Sequence, residues 1–209
     1  MYYIRAPLSG TQMFITATSM EVFADMVQIS QLHNVGGDKK NKQAYKLLRP
    51  YYDKQLPEAL YLAAFFPYNP TSEKLILFPD QTHASLMRAA SDKEYPPAVY
   101  RLGAYLDFGE DGILENKEEA SRCFHLAAKL GHTHSKWIVA CELIYGTEYV
   151  PKNIRDGMAL LHEAANEKSI QALETLARYH KTGEFDFEKN EEISLAYQAM
   201  KSDPGAVDS

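Results

Sequence analysis

At 209 residues with 45% hydrophobic content and no linker rich in Gly, Ser or Pro, the chain carries enough apolar surface to bury one continuous core. Its formal net charge of −6, with Lys and Arg scattered, excludes the basic stripe that a nucleic-acid binder needs. No run of about 18 apolar residues exists, which excludes insertion into a membrane by a spanning helix.

In chain order, residues 1–17 match nothing downstream and are expected to form a capping strand or an ordered arm. Residues 18–32 read as a helix, set off by Gly36 and Gly37 from a second helix over 41–54 (NKQAYKLLRPYYDK). Residues 57–66 (PEALYLAAFF) and 83–90 (HASLMRAA) read as the next pair. Between them lies an irregular insertion, 67–80, with three prolines and the apolar run Leu75, Ile76, Leu77, Phe78.

From Pro97 the chain repeats. PAVYRLGAYLDFGEDGI at Pro97, HSKWIVACELIYGTEYV at His134 and QALETLARYHKTGEFDF at Gln171 superimpose at a spacing of 37 residues. A fixed period of this size signals stacked supersecondary units, because one unit cannot bury its apolar face alone. Gly109, Gly146 and Gly183 share a column where a helix end needs positive φ. Ile113, Val150 and Phe187 plug the following loop, and Asn116, Asn153 and Asn190 are placed to cap the next helix. Ala120, Gly157 and Ser194 form a small-residue column, and the pair Ala127, Ala128 returns as Ala164, Ala165. Each unit is therefore helix A, loop, helix B and a turn of about five residues, and the fold expected is an all-α solenoid of antiparallel helix pairs. Residues 1–40 are expected to form an N-terminal cap, 41–200 the repeats, and 201–209 (KSDPGAVDS) a disordered tail with little to bury.

These columns resemble the Sel-like repeat (SLR) family of tetratricopeptide-related solenoids. Ala98, Leu102, Gly103, Leu106, Gly109, Ala127 and Ala128 carry the motif in the first clear unit. Ser135, Val139, Ala140, Leu143, Gly146, Ala164 and Ala165 carry it in the second, and Ala172, Leu176, Ala177 and Gly183 in the third. There His180 replaces the aromatic, and Lys201 and Ser202 replace the alanine pair. The resemblance is specific over 97–200. It implies a right-handed α/α superhelix and an adaptor or scaffold role, often in bacterial signalling, host interaction or toxin control. The motif positions are structural, so it brings no catalytic residue.

Known catalytic patterns are missing from the sequence itself. There is no dinucleotide fingerprint, P-loop, nucleophile elbow or H-E-x-x-H, and no S-x-x-K for acyl chemistry. His132 and His134 flank a turn, and His125 and His162 share a helix B column. No Cys, Asp or Glu stands near that turn with ligand spacing, so neither a metal nor any other cofactor is expected. Cys123 and Cys141 lie nine residues either side of residue 132, level in an antiparallel hairpin. Helical register favours two packed thiols over a disulfide. Acidic clusters at 107–119 and 184–192 read as solvated faces with helix N-terminal charges.

Function is then expected on a surface. By analogy with related helical-hairpin repeats, helix A lines the concave face. That places Tyr61, Phe65 and Tyr68 of the upstream unit on it, followed by Tyr100, Asp107 and Phe108. Trp137, Ile144 and Tyr145 come next, and Glu174, Arg178 and Lys181 last. Such a face is aromatic in the middle and charged toward its end, the composition of protein-binding hot spots. The expected activity is a non-enzymatic module binding a partner protein, in its concrete form a bacterial immunity or inhibitor protein that neutralises a toxin. A signalling or secretion adaptor is the alternative. A hydrolase acting on cell-wall or β-lactam substrates comes last, for want of a nucleophile with an evident base. The N-terminus has no apolar stretch of signal-peptide type, so the expected compartment is cytoplasmic, or periplasmic if a leader has been removed.

Overall fold

The structure, a computed structural model, describes residues 2–8, 11–17, 19–35, 37–66 and 81–201, with 2–8, 11–17 and residue 38 described by backbone alone. Tyr68, the insertion over 67–80 and the tail beyond residue 201 lie outside the described residues. The chain divides into two compact units, 1–123 and 124–209.

Unit 1 opens with β1 (Tyr2–Leu8) and β2 (Thr11–Ala17), which pair antiparallel from Tyr2 opposite Ala17 to Leu8 opposite Thr11. The sequence offered a single strand or an arm. A hairpin forms instead, because two strands rich in aromatic and β-branched residues satisfy each other's backbone groups where one would leave them open. Both strands lie against α1 (Met20–Val35), which pairs with α2 (Asp38–Asp53). Next come α3 (Pro57–Ala63) and α4 (His83–Ser91). His83 fastens this region: its Nδ1 lies 2.7 Å from the Ala64 carbonyl and its Nε2 2.9 Å from the Tyr105 hydroxyl. A carbonyl only accepts, so Nδ1 carries the proton and Nε2 accepts from Tyr105 when the ring is neutral.

The repeats proper are an all-α solenoid of helix pairs, beginning with α5 (Pro96–Phe108) and α6 (Lys117–Lys129), within which the division between the units falls. Unit 2 continues with α7 (Thr133–Tyr145) and α8 (Ile154–Asn166), then α9 (Ile170–Thr182) and α10 (Glu191–Lys201). The same device closes each pair. Gly109, Gly146 and Gly183 have φ of 72°, 77° and 79°, and each donates its N–H back to the carbonyl four residues earlier at 2.8 Å. Seven residues on, Asn116, Asn153 and Asn190 return the chain to helix A. Their N–H groups donate to Leu106, Leu143 and His180 carbonyls at 2.7, 2.7 and 2.9 Å. Their side-chain oxygens accept from Glu119, Asp156 and Ile193 N–H groups, capping helix B, each worth about 1 kcal/mol. The turns into the next helix A span only residues 130–132 and 167–169, shorter than expected. Ala98, Ser135 and Ala172, which open the motif, are fully buried.

One core column departs from the pattern. Lys136 stands where the flanking copies place Val99 and Leu173, and it is buried like them. Its Nζ is held 2.5 Å from a carboxylate oxygen of Glu163 and 2.5 Å from one of Glu167, and Thr133 donates to Glu167 at 2.8 Å. Burial alone would lower the Lys136 pKa, but the two carboxylates outweigh it and hold the ammonium above its ordinary value. A raised folded-state pKa makes this contribution complete below the unfolded lysine value, near 10.5, and lost as pH climbs through the folded one. Urea midpoints of the wild type are therefore expected to fall above that pH, whereas Lys136→Met is expected to be less stable at neutrality and to lack this alkaline component. Glu163 and Glu167 reach the buried ammonium from exposed positions, so Lys136→Met combined with Glu163→Gln and Glu167→Gln, which leaves no charge unpaired, is expected to be no less stable at neutral pH than Lys136→Met alone. A triple variant weaker than the single one would mean that the charges are needed where they stand.

Candidate interaction surface

The two units present their helix A residues separately. In unit 1, Phe108 ends α5 and is 69% exposed, while Asp107 beside it is half-buried, with the Lys117 Nζ 3.8 Å from its carboxylate. Tyr100 is half-buried, and burial pushes its hydroxyl pKa up. Phe65 is half-buried and meets Tyr61 and His83 edge-on, with ring centroids 5.2 and 5.4 Å away.

Tyr61 is a correction. It is 1% exposed, its ring 5.4 Å from that of Tyr95, and every residue from Glu58 to Ala63 is buried with it. Helix α3 has no open face because α1 and β2 lie against it, and the cap covers what would be the outer side of helix A in a regular repeat.

In unit 2, Ile144 is a second correction. It is fully buried, facing α8, where a Cβ on Gly157 would come within 2.7 Å of its Cγ1. Neighbouring helical positions point about 100° apart, so Ile144 and Tyr145 cannot share one outward face. Tyr145 takes it, at 49% exposure.

The Tyr145 hydroxyl lies 3.0 Å from that of Tyr179 and accepts from Arg178 Nη2 at 2.9 Å, while Arg178 Nη1 donates to Glu184 at 2.6 Å. Trp137 is half-buried against the core of α7 to α9, and its indole N–H donates to Thr175 Oγ1 at 3.0 Å. Glu174 is exposed and paired with Lys201 at 2.7 Å, and Lys181 is exposed.

Three contributors carry no signal in the repeat. Phe185 packs edge-on to Tyr145 and Tyr179 at 5.5 and 5.0 Å and sits at φ 55°, a strained value for a bulky residue. Its column holds Asp111 and Glu148 in the other copies, so periodicity points away from an aromatic. Lys152 lies over the Phe185 ring at 5.9 Å, and Tyr149 is exposed in the same loop as Lys152.

Trp137 and Tyr145 each hold their polar tip in a hydrogen bond and are backed by core, so little side-chain freedom remains to be lost on binding. Cys123 and Cys141 are free and half-buried, and burial pushes both thiols up to about 11, far from the thiolate that nucleophilic chemistry needs. Among the described residues, no group of three or more His, Cys, Asp or Glu is gathered to hold a metal, and no helix is long and apolar enough to cross a membrane.

The Sel1 repeat family model matches residues 96–132 and 135–169. No curated protein matches the sequence. Among solved structures, a Sel1 repeat protein from Oxalobacter formigenes superimposes with a TM-score of 0.68 at 13% identity, over 87% of this chain and 72% of that one. A protective antigen of uropathogenic Escherichia coli strains, displaying an SLR fold, superimposes with a TM-score of 0.63 at 19% identity, over 85% of this chain and 37% of that one. At these identities the likeness is one of fold.

Proposed function

Because this chain is a Sel-like repeat protein, we propose that it is a non-enzymatic binding module that holds a partner protein on the outer face of its A helices, and that the partner is a toxin which it neutralises. Sel1 repeat proteins generally mediate protein–protein interaction. The observation that carries the site is the exposed Tyr145 ring, fixed by Tyr179, Arg178 and Phe185, with Trp137 on the same helix. The toxin reading is supported by the net charge of −6, which suits a basic partner.

The test is co-purification of the partner followed by titration. Tyr145→Ala is expected to weaken binding by about 2 kcal/mol or more while circular dichroism stays that of the wild type. Trp137→Ala is expected to lose both affinity and stability, since its ring is half core. Equal affinity of folded Tyr145→Ala and wild type would move the site elsewhere. Co-expression with the partner is expected to restore growth; a complex that leaves the partner's activity intact would make the protein an adaptor.

A further inference from the structure

The repeats provide a control for the loop between α5 and α6. Ile113 and Asn116 do there what Val150 and Asn153 do in the next copy. Leu114 has no such counterpart. The other copies carry Pro151 and Glu188 in its column, and Lys152 and Lys189 where this loop has Glu115. Since the same turn forms with proline or glutamate, packing does not require a leucine at 114, and the side chain is 88% exposed.

Leu114 borders a cleft of about 470 Å³ between α4, the end of α5 and the start of α6. Buried Leu106 and Ile113 line it, Ala84 forms part of one wall, and Arg88 and Glu119 approach to 3.6 Å. A volume of this order suits one bulky side chain together with adjoining backbone. Phe108 stands close by, because a Cβ on Gly109 would lie 3.3 Å from the Glu115 nitrogen, which brings the two segments alongside. Glu115 and Glu119 line the cleft, and Asp107, Glu110, Asp111 and Glu118 lie within a few residues of its lining along the chain. The nearby cations are already engaged: Arg88 by Glu119, Arg122 by Glu118 at 2.9 Å, and Lys117 by Asp107 and Glu115 at 3.8 Å each. Carboxylates outnumber cations, so the rim is acidic.

We propose that this cleft docks a segment of a partner protein carrying one bulky aliphatic side chain flanked by lysine or arginine. The aliphatic group packs on Leu106 and Ile113 against Leu114, and the flanking cations meet the rim. Charge complementarity selects a basic segment, and the single apolar floor selects one anchor. This docking does not depend on the toxin reading, and a short peptide tests it without any folded partner.

The probe is a fluorescein-labelled peptide, KRALAKR, titrated with the full chain and followed by anisotropy. KRASAKR and EDALADE are the controls. KRALAKR is expected to bind with Kd below about 1 mM, at least about tenfold tighter than either control, and to weaken with added salt. Glu115→Lys imports the residue that the other copies carry in its column, and Leu114→Ser removes the apolar wall at an exposed position without adding charge, so both are expected to fold, and each is expected to weaken KRALAKR by about tenfold. No binding up to about 1 mM, equal binding of the three peptides, or wild-type affinity in both variants would overturn the assignment. The peptide comparison on the wild-type chain decides the matter alone if a variant fails to fold.

Discussion

Replacing Gly157 with valine is expected to destabilise unit 2 by about 3 kcal/mol or more, and replacing it with alanine by about 1–3 kcal/mol. The sign is the informative part, because in an open helix interior Gly→Ala stabilises by about 1 kcal/mol. Here a Cβ would lie 2.7 Å from Ile144 Cγ1, 2.9 Å from the Ala140 carbonyl oxygen and 3.1 Å from the Ile144 nitrogen. Two of those three atoms are backbone of α7, so relief requires the helices to separate. In the neighbouring pair a serine makes this contact: Ser194, in the column of Gly157, donates its hydroxyl to the carbonyl of Ala177, in the column of Ala140, at 2.8 Å. Gly157→Ser carries the same Cβ with a hydroxyl beyond it and is therefore expected to be at least as destabilising as alanine. Urea unfolding followed by the fluorescence of the single tryptophan, Trp137, measures the series. An alanine variant as stable as the wild type would mean that α8 stands farther from α7 than these distances say.

The repeat was legible because its columns record contacts that recur at every step. The left-handed glycines, the capping asparagines and the buried small residues each perform one local task, and three copies expose them. Surface assignment by column offset failed where a neighbour outside the repeat intervened. Tyr61 was misplaced because nothing periodic announces that β2 and α1 cover α3. Ile144 was misplaced because one of two adjacent helical positions had to point inward, and only the close approach of α8 at Gly157 decides which. Lys136 shows the converse. Its charge suggests solvent, yet it fills a core column because Glu163 and Glu167, far along the chain, meet it there. Phe185 was invisible for a different reason: its position depends on a left-handed backbone at a bulky residue, which no propensity favours.

That strained residue gives the other large effect. Tyr179→Ala is expected to cost about 3–5 kcal/mol, whereas Tyr179→Phe is expected to cost about 1 kcal/mol. Tyr179 is fully buried, with Phe185 and Phe187 rings at 5.0 and 5.5 Å and the Arg178 guanidinium 4.8 Å from its ring centre. Phenylalanine keeps all of that and loses only the hydroxyl facing Tyr145. Alanine removes the ring on which Phe185 rests, and a bulky residue at φ 55° is held there at about 1–3 kcal/mol only while its surroundings fix it. Residues 184–186 are then expected to relax, freeing Tyr145 from one of its aromatic neighbours, so that partner affinity falls along with stability. In Tyr179→Phe, with Phe185 and Arg178 in place, affinity should stay within about threefold of wild type. Denaturant midpoints for the two variants, paired with titrations on folded material, separate the roles. If alanine proves no worse than phenylalanine in stability, the ring is not what anchors Phe185. If phenylalanine alone abolishes binding, the Tyr145 hydroxyl network, and not the aromatic support beneath it, sets the surface.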